Sequence, residues 1–366
     1  MRAALPDFPW DTLAPYKARA QEHPDGIVDL SVGTPVDPTP RLVQDVLAAA
    51  ADAHGYPQTW GTPDLREGVA AWFARRRGVP DVDPDGVLPT VGSKELVAWL
   101  PTLLGLGAGD VVGIPAVAYP TYDVGARLAA ATPVVVEGLT AFGPQTTATR
   151  PRLLWVNSPS NPTGRVLGVA HLTKVVAWAR ANDVVVASDE CYAELGWTPD
   201  GDVPSILDPR VCGGSHQGLL AVYSLSKQSN LAGYRAAFVA GDVALVRQLL
   251  EVRKHAGMIV PWPVQRAMLA ALGDDDHVAE QKARYAARRT SLLDTVGRAG
   301  FRVDASEAGL YLWCTRDEDA WASVAWLAER GVLVAPGAFY GAAGARHVRV
   351  ALTATDERVA AASARW

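Results

Sequence analysis

The stretch Tyr223-Ser224-Leu225-Ser226-Lys227 follows the apolar run Leu219-Leu220-Ala221-Val222, and Arg235 stands eight positions beyond the lysine. The apolar run reads as a buried strand that delivers an amine into a patch of hydroxyls. A solvated lysine has no need of that setting. A lysine that forms a Schiff base does: it must shed its proton to act as a nucleophile, and an anion site beside it would hold a phosphorylated aldehyde. Ser224 and Ser226 supply hydroxyls, and Arg235 supplies a bidentate fork suited to phosphate.

Other polar residues stand just past apolar runs. Gly92-Ser93-Lys94-Glu95 follows the run 87–91 and opens a helical stretch. Free N–H groups at a helix start bind phosphate and Gly92 permits close approach, although Ser93 alone would serve as a plain N-cap. Asn157-Ser158-Pro159-Ser160-Asn161-Pro162-Thr163-Gly164 follows the run 153–156. Its two prolines stiffen the turn and aim Asn161, a residue that turns also favour on their own account. The Asn161–Pro162 bond is a candidate cis peptide. Asp189, in Ser188-Asp189-Glu190-Cys191-Tyr192, ends the run 184–187, where a carboxylate is costly unless paired. It could serve a cationic ring nitrogen or cap a helix, and Tyr192 could project into the same site. Arg349 interrupts the apolar His347-Val348-Arg349-Val350-Ala351-Leu352. A buried guanidinium needs an anion, either a substrate carboxylate or an internal acid. Tyr119, in Ala118-Tyr119-Pro120, could stack on an aromatic ligand or fill the core.

The elements that must position these residues alternate. Strand patterns at 87–91, 111–114, 134–136, 153–156, 184–187, 219–223 and 236–240 are interleaved with helical ones at 64–77, 95–104, 122–130 and 171–181. Short apolar strands separated by helices indicate an α/β fold with a mostly parallel, doubly wound sheet covered on both faces. In such a sheet, ligands gather at the carboxyl ends of the strands, where these polar residues lie. Another helix begins at Arg41. Beyond residue 256 the pattern changes to helices at 263–272 and 276–297, then strands at 301–303, 309–313, 332–335 and 347–351. The expected division is a Pro-rich N-terminal arm, 1–35, packing with a smaller α+β unit, 256–366, and a large ligand-binding unit between them, 36–255.

Bulk properties narrow the function classes. At 366 residues and 49% hydrophobic, the chain can bury a large core. The net charge of -5 comes from 34 basic and 39 acidic side chains without a basic block, which argues against a nucleic-acid partner. No apolar segment is long enough to span a bilayer, and Met1-Arg2-Ala3-Ala4-Leu5-Pro6-Asp7 lacks a signal-peptide core, so no membrane role is expected. Cys191, Cys212 and Cys314 lie far apart, with neither disulfide nor metal spacing, which suits a reduced, cytoplasmic protein without a metal.

Together the motifs resemble the class I/II aminotransferases of fold type I, which use pyridoxal 5′-phosphate (PLP). The resemblance runs from Gly33, in Ser31-Val32-Gly33-Thr34-Pro35, to Arg349, and includes the order of motifs and the Lys227–Arg235 spacing. It implies that Lys227 anchors the cofactor and moves the substrate α-proton. By the same resemblance Asp189 keeps the ring nitrogen protonated, and Tyr192 and Asn161 hydrogen-bond the ring oxygen. Ser224, Arg235, the N–H groups of Gly92, Ser93 and Lys94, and Ser226 hold the phosphate. Tyr119 stacks on the ring, and Arg349 and the Gly33 backbone bind the substrate α-carboxylate. Tyr56, in His54-Gly55-Tyr56-Pro57-Gln58-Thr59-Trp60-Gly61, is implied to reach the phosphate of a partner subunit, hence a homodimer with shared sites.

Gly92-Ser93-Lys94-Glu95-Leu96, Arg253-Lys254-His255-Ala256-Gly257-Met258 and Phe8-Pro9-Trp10-Asp11 are similar to the bacterial N-succinyldiaminopimelate aminotransferases of lysine and diaminopimelate biosynthesis. Glutamate as donor and a succinylated keto acid as acceptor both carry a distal negative charge, for which Lys94, Lys17, Arg19, Arg253 and Lys254 are candidate cations. Trp60 and Trp197 could line the entrance. Alternatives on the same scaffold are aspartate, aromatic or acetylornithine transaminases and carbon–sulfur β-lyases. A PLP-sensing transcription regulator would need a DNA-binding segment, and the residues before Val36 are neither basic nor patterned as a helix-turn-helix.

Overall fold

The computed structural model describes residues 5–136, 150–198 and 201–366, so the first four residues of the expected arm lie outside it. Its strands are β1 (Val28–Asp29), β2 (Val87–Val91), β3 (Val111–Pro115), β4 (Thr132–Val136), β5 (Leu153–Asn157), β6 (Val185–Asp189), β7 (Leu219–Ser224), β8 (Ala236–Gly241), β9 (Arg302–Ala305), β10 (Tyr311–Thr315), β11 (Val332–Leu333), β12 (Ala335–Pro336) and β13 (Val348–Ala351).

Strands β2 to β8 form a seven-stranded sheet in the order β2-β8-β7-β6-β5-β3-β4. Strands β4, β3, β5, β6 and β7 run parallel, and β8 runs antiparallel to both of its neighbours. Side chains alternate between the two faces. Leu154, Val156, Ala221 and Tyr223 join one core with Trp72, Phe73 and Phe238. Leu153, Trp155, Leu220 and Val222 join another with Leu96, Leu100 and Leu249. Both faces are therefore packed, which is why these strands read as continuous apolar runs. Because the parallel strands share one direction, their carboxyl ends place Asn157, Asp189 and Ser224 along one edge.

A four-stranded antiparallel sheet, β12-β13-β10-β9, follows in the chain. It sits on the long helix Asp276–Arg298, with Tyr285, Leu292 and Val296 meeting Leu310, Leu312, Val348 and Val350 in one core. The expected strand over 332–335 is instead two. Val332–Leu333 pairs in parallel with β1, and Ala335–Pro336 pairs with β13. The arm is also more ordered than its proline content suggests. It contains a 3-10 turn, Pro9–Leu13, and a helix, Ala14–Gln21. That helix buries only Ala20, so it lacks the periodic apolar stripe by which helices are read from sequence.

Among the described residues no helix is long and apolar enough to cross a membrane, and no His/Cys/Asp/Glu group could hold a metal ion. All three cysteines are free and buried.

Candidate active site

Strand β7 ends in Ser224, which caps the short helix Leu225–Gln228 by accepting from the Ser226 N–H at 3.2 Å. The Ser224 hydroxyl also donates to Ser226 Oγ at 2.8 Å. This turn aims Lys227 across to the arm, where its ammonium donates to the carbonyl of Gly33. Burial pushes the amine below its ordinary range, and the charges of Arg349 and Arg235 push the same way. A lowered value means that the neutral, nucleophilic amine is populated at lower pH than for a solvated lysine.

Gly92 follows strand β2 and is the N-cap of the helix Ser93–Leu103, with φ of 79°. A Cβ there would lie 2.1 Å from Arg235 Nη2, so only glycine leaves the guanidinium in place. Arg235 Nη1 donates to the Ala232 carbonyl at 2.7 Å, and no acid pairs with Arg235 among the described residues. An unpaired guanidinium, the free N–H groups of a helix start and two serine hydroxyls make a cradle for a dianion.

Asp189 closes β6, opposite Asn157 on β5. Its Oδ2 accepts from the Tyr122 hydroxyl at 2.8 Å and its Oδ1 from the Cys191 N–H at 3.2 Å. Burial raises its pKa, because the charged form is desolvated. The side chain of Asn157 spans to the Asp189 carbonyl (3.0 Å) and accepts from the Asn161 N–H (2.7 Å), which holds the proline turn in register. Both Ser158–Pro159 and Asn161–Pro162 are cis. Tyr119 meets Tyr122 edge-on at 5.9 Å, and Tyr122 stacks on Trp155 at 4.8 Å. Burial lifts the Tyr119 phenol to about 12, so it stays neutral at physiological pH.

Arg349, on β13, is 2% exposed. Its Nη1 donates to Asn161 Oδ1 at 2.9 Å and its Nη2 to the Ser31 carbonyl at 2.5 Å. The internal acid that a buried arginine could have used is absent: no carboxylate pairs with it among the described residues, and Nε has no partner. The guanidinium lies over the Tyr311 ring at 4.1 Å and near Tyr340 at 5.0 Å. The Tyr192 hydroxyl is 2.9 Å from the Tyr311 hydroxyl.

The chain matches the sequence profile of the aminotransferases of class I and II over residues 25–365. It belongs to that family. It is 64% identical over 363 residues to a probable aminotransferase of Mycobacterium tuberculosis, covering 99% of this chain and 85% of the relative. It is 59% identical to the 4-dedimethylamino-4-oxo-anhydrotetracycline transaminase of Streptomyces rimosus, over 99% of both chains. Among solved structures, a probable N-succinyldiaminopimelate aminotransferase of Thermus thermophilus superposes with a TM-score of 0.88 at 28% identity, over 98% of this chain and 99% of that one.

Class I and II aminotransferases of this fold depend on PLP, and the site suits that group. The Gly92–Arg235 cradle would take its phosphate, Lys227 its aldehyde, Asp189 its ring nitrogen and Tyr119 its ring face. Three residues that sequence reasoning passed over hold these candidates in place: Tyr122 donates to Asp189, Asn157 accepts from the Asn161 N–H, and Tyr311 lies between Arg349 and Tyr192. For Tyr311 the available signal was a hydroxyl-bearing aromatic alternating with Leu310 and Leu312 on a buried strand.

The remaining candidates have the following surroundings. Tyr56 is fully exposed in the single chain. Lys94 is exposed, with its ammonium 5.5 Å from the Phe8 ring. Arg253 is buried and bound by both oxygens of Glu95, at 2.8 and 3.2 Å, which makes it a structural ion pair rather than a distal cation. Arg19 and Lys254 are held by Glu22 and Glu251, each at 2.6 Å. Trp60 lies under Arg66 at 4.0 Å, and Trp197 donates to the Gly309 carbonyl at 2.8 Å.

Proposed function

We propose that this aminotransferase moves an amino group from L-glutamate to N-succinyl-2-amino-6-oxopimelate, giving N-succinyl-LL-2,6-diaminopimelate and 2-oxoglutarate in lysine and diaminopimelate biosynthesis. Arg349 carries the amino-acid half of this reading. It is a buried guanidinium without an acid, joined through Asn161 and Tyr311 to the groups around Lys227, and a substrate α-carboxylate is the anion it lacks.

When bound, PLP supplies an electron sink that stabilises negative charge at the substrate α-carbon. Lys227 takes the proton from that carbon, which its depressed pKa allows. Asp189 is held by Tyr122 and the Cys191 N–H and pairs with the ring nitrogen, the cation its buried carboxyl otherwise lacks. Tyr192 and Asn161 donate to the ring oxygen. Ser224, Ser226, Arg235 and the N–H groups of Gly92, Ser93 and Lys94 hold the phosphate, and Tyr119 covers the ring. Arg349 and the Gly33 backbone orient the α-carboxylate.

At the far end, Lys94 and Lys17 are the proposed distal cations that no acid holds among the described residues. Likeness to the Thermus thermophilus relative supports the succinylated acceptor. Likeness to the Streptomyces rimosus relative favours a second reading, amination of a ketone on a fused polycyclic ring. We also infer the division into an arm to residue 35, a large unit 36–255 and a small unit 256–366. The β1–β11 pairing supports the packing of the arm with the small unit, whereas Val264, Ala267 and Met268 of the helix Trp262–Gly273 join the core of Trp72 and Phe73, which favours a boundary after that helix. The exposed Tyr56 supports a homodimer in which it completes the partner's phosphate site, and the three unpaired thiols suit a cytoplasmic setting.

The test is a pair of half-reactions. Enzyme is first converted by glutamate, then offered the succinylated keto acid, other keto acids and a polycyclic ketone, and the return of the original spectrum is timed. Fastest return with the succinylated acid is expected. Fastest return with the ring ketone would transfer the assignment to the second reading. Pyruvate release from cystathionine without any keto acceptor would replace transamination by a lyase.

A further inference from the structure

Strand β10 pairs with β13 so that Trp313 faces Arg349 and Tyr311 faces Ala351. Residues two apart share a face, so Tyr311 is a diagonal neighbour of Arg349 within reach of its side chain. Its ring takes one face of the guanidinium, while the in-plane donors go to Asn161 and Ser31. At the other end of the same side chain, the hydroxyl meets Tyr192 at 2.9 Å. It also presses on Gly33: a Cβ at that position would fall 2.1 Å from the Tyr311 oxygen. Gly33 has no left-handed backbone to require glycine, so this contact is the reason for it. The carbonyl of Gly33 is the acceptor of Lys227. One tyrosine thus touches the carboxylate-binding arginine, the ring-oxygen tyrosine and the arm that receives the lysine.

We propose that Tyr311 is a positioning residue with two separable tasks: its ring holds Arg349 for the substrate carboxylate, and its hydroxyl directs the hydrogen of Tyr192. This rests on the transaminase reading above. Two phenols that share one hydrogen bond have a single donor between them. A cation on the face of the Tyr311 ring draws density from its oxygen and favours donation by Tyr311. The Tyr192 hydrogen is then free to point at the ring oxygen of PLP. A phenol that itself accepts a hydrogen bond is also the stronger donor.

The test uses the purified, PLP-loaded enzyme, with a pH titration of the cofactor's visible band as one readout and the KM for glutamate as the other. Tyr311→Phe keeps the ring and removes the hydroxyl. Its titration midpoint is expected to rise by about 0.5–1 unit, since a weakened donor to the ring oxygen disfavours the deprotonated form, with KM unchanged within about twofold. Tyr311→Leu removes both and is expected to raise KM about tenfold as well, as expected for a lost desolvated cation–π contact. In a Tyr192→Phe background, Tyr311→Phe should shift the midpoint no further. A midpoint unmoved in Tyr311→Phe overturns the hydroxyl's task, and a KM unmoved in Tyr311→Leu overturns the ring's. A wild-type protein that forms no titrating band overturns the transaminase reading itself, and this inference with it.

Discussion

Along the strand ends, Asp189 is held by Tyr122 and Cys191, Asn161 by Asn157, and Ser226 by Ser224. On the facing small sheet and arm, the Arg349 Nε, the Tyr340 hydroxyl and the Trp10 indole N–H are buried without partners among the described residues. A buried, unsatisfied donor costs about 1–3 kcal/mol, and the strand-end wall has such groups too, the Trp155 indole N–H under Tyr122 and the Thr90 hydroxyl on β2. The walls differ in that the site's carboxylate and amide are fixed by protein partners, whereas Arg349 keeps a spare donor and no acid. A carboxylate and an amide fixed by protein partners are preorganised for one resident ligand. A buried arginine with a spare donor and no acid suits carboxylates that arrive and leave in each cycle. The contrast fits a cofactor that stays and two substrates that alternate.

Removing the resident side should stop the chemistry outright. Lys227→Ala is expected to lower kcat by about 10³-fold or more, the scale of a lost proton-transfer group, and to abolish the borohydride-reducible adduct with PLP. An adduct still found in Lys227→Ala, located by peptide mapping, would move the anchor elsewhere. In wild type, the rate of PLP capture should climb with pH and level off at lower pH than for a solvated lysine, because Lys227 loses its proton there. On the alternating side, Arg349→Ala should raise KM for both donor and acceptor by on the order of 10²-fold, from about 2–4 kcal/mol of charge-assisted hydrogen bonding. PLP affinity should stay within a few fold. Equal losses in PLP affinity and KM would erase the distinction between the walls.

The two walls also differ in how far the sequence discloses them. Asp189 closes a buried strand, and Gly92, Lys227 and Asn161 lie in the turns just past buried strands, so an apolar run and the turn after it are enough to find them. Tyr311 has no such marker. Its importance comes from the β10–β13 register and from contact with Gly33 and Tyr192, 278 and 119 positions away, counting 311 less 33 and 311 less 192. Arg349 is visible as a charge in an apolar strand, but whether it met an acid depended on every element packed around it. The arm helix Ala14–Gln21 hid because it fully buries one small residue, Ala20, and otherwise packs through the half-buried Tyr16 stacked on Trp321. Arg253 misled because a cation next to Lys254 and His255 looks solvated, whereas helix Val243–Ala256 turns it inward onto Glu95.

One hydrogen-bond chain ties the strand-end wall to the helices that carry the small sheet, and it should matter least for chemistry. Tyr223 donates to Gln228 Oε1 at 2.5 Å, and Gln228 donates to Ser229 Oγ at 3.2 Å. Ser229 lies 2.8 Å from His277 Nε2, and His277 Nδ1 lies 2.7 Å from Asp274. With Nδ1 protonated and donating to Asp274, Nε2 can accept from the Ser229 hydroxyl, so the chain runs in one direction from Tyr223 to Asp274. Ser229 is fully buried two residues after Lys227, and His277 opens the helix Asp276–Arg298. His277→Ala leaves the Ser229 hydroxyl without that acceptor, and among the described residues its other side-chain partner, Gln228, is a donor to it. Stability should fall by about 1–3 kcal/mol in urea unfolding, while kcat and both KM values stay within about threefold. His277→Gln can still accept from Ser229 and should recover part of the loss. A large fall in kcat with an unchanged unfolding midpoint would instead place this chain among the groups that aim Lys227, and the line between the two walls would have to be drawn on the far side of His277.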